Sequence, residues 1–417
     1  MAITPATSAR ERKISKRELV ILMAMLMALQ ALAIDAMLPA LPMIAQDLGV
    51  SDENRRQLVV GIFVVFSGLG CLFPGILADR FGRRPVALFA LGSYAALALG
   101  CALAVDFTQL LVLRALQGLL TSGIIVVPTA IIRDEYEGDR MARLMSLIFA
   151  VFITVPIVAP TIGQGILLIA GWRWIFVLLA VMATINASWF FMRMPETLHP
   201  EYRQKIQLRP LLSHMADAIT RRSAVGYVFG AALVTSGIFG YVNQSQQLVA
   251  EHFGAGEAFP LIFGAMAGTM AISSLTNARI VERFGARRVS HTGLFVFIGL
   301  SLAQIWFAMG SWQSLAWFFP LMAANMAIIG FLTANFGSIA MQPFAATAGA
   351  ASSVQAFVRM FGAGIGGVII GQAYDGTSLP MAISLLVIGL LCLALVLFTE
   401  RGHLFRRLNL PPTVEQP

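Results

Sequence analysis

Three charged residues stand inside otherwise apolar runs of this 417-residue chain: Asp35, Arg114 and Arg359. If such runs cross a bilayer, an ionised side chain at their centre costs about 2.5–3.5 kcal/mol, so each position asks for a chemical reason. Asp35 closes a long apolar run and precedes Ala36-Met37-Leu38-Pro39-Ala40-Leu41-Pro42. A carboxylate facing a cavity is partly desolvated, which disfavours its charged form and suits it to taking up and releasing a proton. The plainer reading is a hydrated structural carboxylate at a mouth. Arg114, with Gln117 one turn on, presents five donors in a fixed fork. It can serve as the counter-ion of Asp35, released when a proton or a cation neutralises the carboxylate, or it can bridge helix backbones. Arg359 has no acidic residue in the apolar runs of its own half of the chain. Its two readings are a hydrated cavity-lining cation and a site for an anionic or zwitterionic ligand.

A second group is polar without charge. Gln30 lies mid-run; Tyr241, Asn243, Gln244, Gln246 and Gln247 cluster in another run; Asn325 and Asn335 share a third. Unpaired amides are costly in hydrocarbon, so these side chains are expected to face a cavity, with Gln30, Asn243, Gln244, Gln247 and Arg359 as its candidate lining. A third group is the loop Gly75-Ile76-Leu77-Ala78-Asp79-Arg80-Phe81-Gly82-Arg83-Arg84. Gly82 permits a tight turn. Asp79 can accept from Arg83 or from Arg133, and Asp134 offers Arg80 or Arg83 an alternative. Such a network is expected to hold helix ends together and to break when a gate opens.

The elements that position these groups follow from hydropathy. Hydrophobic residues make up 58% of the chain and charged residues 12%, about half the charged share of a soluble domain. Twelve runs are long enough to span a bilayer: 19–38, 57–78, 86–105, 108–132, 142–168, 173–193, 224–249, 259–279, 289–309, 312–339, 347–372 and 380–399. They are continuous rather than alternating, which excludes a barrel. Lys13, Lys16 and Arg17 before the first run, with Ala31-Leu32-Ala33 in it, imitate a cleaved signal; the eleven runs that follow favour an uncleaved helix. Nearly all of the 29 Lys and Arg residues fall on one side of this arrangement. The other side holds only Arg55, Arg56 and Arg173, which puts both termini in the cytoplasm. The net charge of +8 is thus a topology signal, and nucleic acid is not needed to explain it. Cys71, Cys101 and Cys392 sit in apolar runs with neither disulfide nor zinc spacing.

The gate loop recurs. Ala278-Arg279-Ile280-Val281-Glu282-Arg283-Phe284-Gly285-Ala286-Arg287-Arg288 aligns Glu282, Arg283, Phe284 and Gly285 with Asp79, Arg80, Phe81 and Gly82. The chain therefore reads as two six-helix bundles, 1–193 and 224–400, joined by a cytoplasmic linker 194–223 and followed by a cytoplasmic tail 401–417. Parallel repeats of this kind place a substrate path at their interface.

With these motifs in view, the chain resembles the major facilitator superfamily, and within it the Bcr/CflA branch of drug:proton antiporters. The resemblance runs from about residue 15 to residue 400. It rests on Gly75–Arg84, on Arg114, Gln117 and Gly118, on Asp35–Pro42, and on Pro343-Phe344 with Ala348–Ser352. It rests also on Ala159-Pro160-Thr161-Ile162-Gly163, which is similar to the antiporter motif of the fifth helix. Pro156, Pro160 and Gly163 are then a hinge or seal between the halves. Val155, Ala159 and Gln164 depart from the glycines usual there, Met37 replaces an aromatic, and Arg359 replaces an uncharged residue. The resemblance implies an all-α integral membrane fold of twelve helices. It implies proton-driven export of small amphipathic compounds across the inner membrane, by a protein that works as a monomer in the lipid bilayer.

No HExxH, P-loop, GxSxG or zinc spacing occurs, so the expectation is a transporter and not an enzyme, with no cofactor and no metal, driven by a proton gradient. The five histidines, His199, His214, His252, His291 and His403, carry no assignment. A proton-coupled nutrient importer of the same fold, which would not need the Pro160–Gly163 motif, remains an alternative, as does a non-transporting membrane sensor.

Overall fold

The computed structural model describes residues 14–136, 138–199, 201, 203, 216, 220–310 and 313–405. Most of the linker, with Pro200 and Pro210, lies outside the described residues, as do His214, residues 1–13 and the tail from 406 onward. Among the described residues there are helices and no strands. Eleven helices are long and apolar enough to cross a membrane, and a twelfth span is formed by a bent pair. This is the architecture the sequence implies, and lipid dictates it: with no water to satisfy the backbone, each segment closes its hydrogen bonds internally.

The ends follow local chemistry. Span 1, Lys16–Asp35, starts at Ser15, whose hydroxyl accepts from the Glu18 N–H at 3.2 Å. It stops at Asp35, and the chain re-enters a short turn Leu38–Ala40 and the helix Leu41–Asp47, each with proline in its first turn. Span 2 is the bent pair, Arg55–Gly70 and Pro74–Phe81, at 46°, with Pro74 opening the second piece. Spans 3 to 6 are Arg83–Ala102, Phe107–Glu135 with a break at Ser122, Gly138–Ile169, and Arg173–Arg193. Span 7, Arg222–Gln246, runs on into a π-helical turn, Gln247–His252. Spans 8 to 12 are Phe259–Phe284, Ala286–Met309, Leu315–Met341, Ala348–Gln372 and Leu379–Thr399.

The repeat is visible in backbone and packing. Gly82 and Gly285, the aligned glycines, both adopt positive φ, 107° and 84°, and each opens the next helix. Among the first six spans the main contacts join 1 to 4, 5 and 6, 2 to 4, and 3 to 4 and 6. Each of these pairs has its counterpart six spans later: 7 with 10, 11 and 12, 8 with 10, and 9 with 10 and 12. Spans 2 and 11, and spans 5 and 8, join the two groups. The 2–11 seam is made close by glycine. A Cβ at Gly68 would strike the Phe361 backbone, and one at Gly364 the Val65 backbone.

Candidate functional site

Arg114 is fully buried and fully engaged. Its guanidinium donates to the carbonyls of Ala33 at 2.8 Å and Val59 at 2.9 Å and to the Gln117 side-chain oxygen at 2.8 Å. It also lies 4.1 Å from the Phe63 ring centroid. It forms no ion pair with Asp35, contrary to the pairing expected from their similar depths. The reason is the end of span 1. Helix termination at Asp35 leaves the last carbonyls without their usual donors, and Arg114 supplies one of them. Of its two readings, the arginine that bridges helix backbones is the one present.

Asp35 is 5% exposed. Among the described residues it makes no hydrogen bond and no ion pair. Gly163 of span 5 packs on the break just beyond it: a Cβ there would collide with the Ala36 carbonyl. Pro160, one turn before Gly163, is buried, and Pro156 is partly so. Ile157, between the prolines, touches Gly264 of span 8 across the groups. The kinked stretch of span 5 therefore contacts the broken end of span 1 on one side and the other bundle on the other.

The polar cavity candidates divide. Gln30 donates to the Ser67 hydroxyl at 2.6 Å and Gln244 to the Ile370 carbonyl at 2.5 Å. The carbonyl oxygens of Gln30, Asn243, Gln244, Gln246 and Asn325 are buried without a partner, as is the amide nitrogen of Gln117. These groups are available to water or a ligand. Gln247 belongs elsewhere. It pairs with the Gln57 side chain and with Asn54, at 3.2 Å, in the other group of helices. It stands at the first position of the π-helical turn, in a seam between the two groups. Arg359 is partly buried in span 11; it has no hydrogen-bond acceptor among the described residues.

That seam was not anticipated. Besides Gln57–Gln247, Arg56 makes a bidentate pair with Glu251 at 2.7 and 2.6 Å. Asn54 donates to the carbonyls of Gln372, at 3.2 Å, and Tyr374, at 2.8 Å, and Gln372 donates back to the Asn54 carbonyl at 2.7 Å. These side-chain hydrogen bonds join the two groups at one face, opposite the basic loops. The only sequence signal was an Arg at the end of span 2 and a Glu at the end of span 7.

At the basic face, Arg83 donates to Asp79 at 2.5 Å and to Asp134 at 2.9 Å. Glu196, which was not singled out, accepts from the Arg83 and Arg84 N–H groups at 2.8 and 3.1 Å, capping the start of span 3 beneath Gly82. Gly75 meets nothing within 4 Å of where a Cβ would sit. Arg80 and Arg133 are exposed and make no hydrogen bond or ion pair among the described residues. Arg133, expected in the gate, takes no part in the cluster, where Asp134 accepts from Arg83. The cluster joins spans 2, 3 and 4 to Glu196, just past span 6, and its bonds make no link to the second group. Its counterpart in the second group is also buried. Tyr227 donates to Glu400 at 2.6 Å and lies 3.1 Å from His291, Arg287 donates to Glu400 at 2.7 Å, and the Phe405 N–H donates to His291 at 2.9 Å. Among the described residues no three His, Cys, Asp or Glu side chains form a metal site.

A family model described as Major Facilitator Superfamily matches residues 23–367. The chain is 27% identical to the bicyclomycin resistance protein homolog of Haemophilus influenzae, over 87% of this chain and 91% of that one. It is 28% identical to the multidrug resistance protein MdtL of Klebsiella pneumoniae, over 87% and 91%. Its fold is similar to the human organic anion transporter MFSD10, with TM-score 0.63 and 17% identity over 93% of this chain and 100% of that one. A bacterial homolog of the human lysosomal transporter Spinster gives TM-score 0.70 and 16% identity over 95% and 97%. Twelve spans in repeated packing, the recurrent glycine loop and the family match lead to one conclusion: this multi-pass membrane protein is a transporter of the Major Facilitator Superfamily.

Proposed function

We propose that the protein exports small amphipathic compounds in exchange for protons. It would work as a monomer in the cytoplasmic membrane, with both termini and the basic loops in the cytoplasm and no cofactor. The bundles 1–193 and 224–400 would rock about spans 2, 5, 8 and 11, with 194–223 as the connection between them. The similarity to proteins named for bicyclomycin and multidrug resistance supports the direction and the kind of cargo. The Arg56–Glu251 pair joins the groups at the face opposite the basic loops, which supports a state closed outward that opens inward.

The observation that carries the reading is Asp35, a buried carboxylate without a counter-charge beside the span 1 break. An isolated ionised carboxylate in such a place is costly, so the sealed state favours the protonated acid. Opening the cavity inward hydrates the group and releases the proton as cargo loads. After the bundles rock, a proton from outside re-neutralises Asp35 and cargo leaves. Arg114 enters this scheme by holding the span 1 end in place, with its donors on the Ala33 and Val59 carbonyls.

The test uses purified protein in liposomes with an imposed pH gradient and a panel of cationic, neutral and zwitterionic compounds. Movement opposite to protons is expected, lost in Asp35→Asn while the variant melts like the parent protein. Retained gradient-dependent export in the variant would sink the assignment of Asp35. Movement in the direction of proton flow would make the protein an importer.

A further inference from the structure

We infer that Arg359 is an anion-binding residue, and that the cargo path accepts compounds carrying a carboxylate or similar acidic group. The inference rests on the export reading above and narrows its substrate class.

Three observations support it. The first is charge balance. The interior of the twelve spans holds one acid, Asp35, and two arginines, Arg114 and Arg359. Arg114 is satisfied by three oxygens, all from neutral groups, so the interior keeps one net positive charge even with Asp35 ionised, the state in which cargo loads. An acidic ligand would offset that excess, whereas a cation would add to it.

The second is the state of Arg359 itself. Its fork has no acceptor and no ion pair among the described residues, although the side chain is partly buried. A planar guanidinium matches a carboxylate with two parallel hydrogen bonds, a geometry that neutral carbonyls do not offer.

The third is place. Arg359 stands midway along span 11, where that helix packs on span 2 through Gly68 and Gly364. Ser67 lies beside Gly68 on span 2, and the Gln30 amide, bonded to Ser67, leaves its carbonyl oxygen unpartnered. A ligand with an acidic group on Arg359 and a donor directed at Gln30 would touch both bundles. Its binding would then couple to their rocking.

The experiment measures binding of 2-naphthoate and of its neutral methyl ester to the purified full-length protein. Tested beside it are Arg359→Gln, which keeps a polar side chain without the charge, and Arg359→Lys, which keeps the charge without the fork. The acid is expected to bind more tightly than the ester and to lose about 10–100-fold in Arg359→Gln, the size of a lost charge-assisted pair. Arg359→Lys should recover part of that loss. Ester binding should be the same in all three proteins, which also certifies that the variants are folded. Equal acid binding in the parent and Arg359→Gln, or no preference for acid over ester in the parent, overturns the inference. A loss of acid and ester together would make Arg359 a packing residue and overturns it as well. Proton-driven movement of the ester alone would leave the export reading standing while this inference falls. Arg359-dependent acid binding without movement against protons would do the reverse.

Discussion

Arg114 shows how a residue's type can be legible while its partner is not. A lone arginine in an apolar run signals a special position, but spacing along one helix cannot say which atoms of another it will meet. Depth alone pointed to Asp35; the broken end of span 1 gave it carbonyls instead. The arrangement predicts that Arg114→Lys destabilises the protein, because a single ammonium cannot reach three oxygens on three helices. One or two buried carbonyls left unpaired would cost about 1–3 kcal/mol each. Thermal unfolding of the purified variant should show a clearly lower midpoint, and an unchanged midpoint would contradict the bridging role. Glu400, just past span 12, gives a pH-dependent case. Burial pushes its carboxyl up, but the bonds from Tyr227 and Arg287 outweigh that and hold it below its ordinary value. A depressed folded-state value means the stabilisation is present above the unfolded value, near 4.5, and is lost as pH falls through the folded one. Glu400→Gln should therefore melt earlier than the parent at pH 7, with the gap closing as the pH is lowered below about 4.5. A gap independent of pH would mean that charge is not what Glu400 contributes. Nothing in the sequence singled out Glu400 or His291, since their network is assembled from three segments far apart in the chain.

At the scale of elements, the expected runs overlie the observed spans closely, because bilayer thickness and hydropathy fix both. What periodicity could not give was the breaks, at residues 36–37 in span 1, 71–73 in span 2 and 122 in span 4, and the π turn at Gln247–His252. Proline accounts for the first two in physical terms, as a residue that cannot donate to the preceding turn. The π turn has no residue signature, and Gln247 at its start lies in the seam rather than the expected cavity. Glycines in span 5 illustrate how position decides meaning. Gly163 and Gly165 are two residues apart, yet a Cβ at Gly163 would collide with the Ala36 carbonyl while one at Gly165 meets nothing within 4 Å. Gly163→Ala should push span 5 off the span 1 break and reduce transport in liposomes by at least about tenfold, the effect of roughly 1.4 kcal/mol at the contact. Gly165→Ala should be silent. Similar losses in both would mean that helix flexibility rather than close approach explains the pair.

At the scale of the whole molecule, the two clusters of charge do different work. The Asp79–Arg83–Asp134 cluster joins the ends of spans 2, 3 and 4, all in the first group of helices. The contacts between the two groups lie in the seam of Asn54, Arg56 and Gln57 against Gln247, Glu251 and Gln372. Arg56 and Glu251 have side chains 7% and 35% exposed, so their pair is partly shielded from water and stronger than a surface pair. Losing it should shift the balance between sealed and open faces by roughly 1–2 kcal/mol, a population change of about 5–30-fold. Asn243→Cys, one turn below Gln247 on the buried side of the seam, reports on this. The three native cysteines are all buried and give little background. An impermeant maleimide added at the outer face should label that site slowly in the parent and about 5–30-fold faster with Arg56→Ala. The exchange of charges, Arg56→Glu with Glu251→Arg, should slow it again. If labelling is equally slow in all of them, the amides and the glycine-lined contact of spans 2 and 11 hold the face shut by themselves. The alternation between states would then depend on helix packing and not on this ion pair.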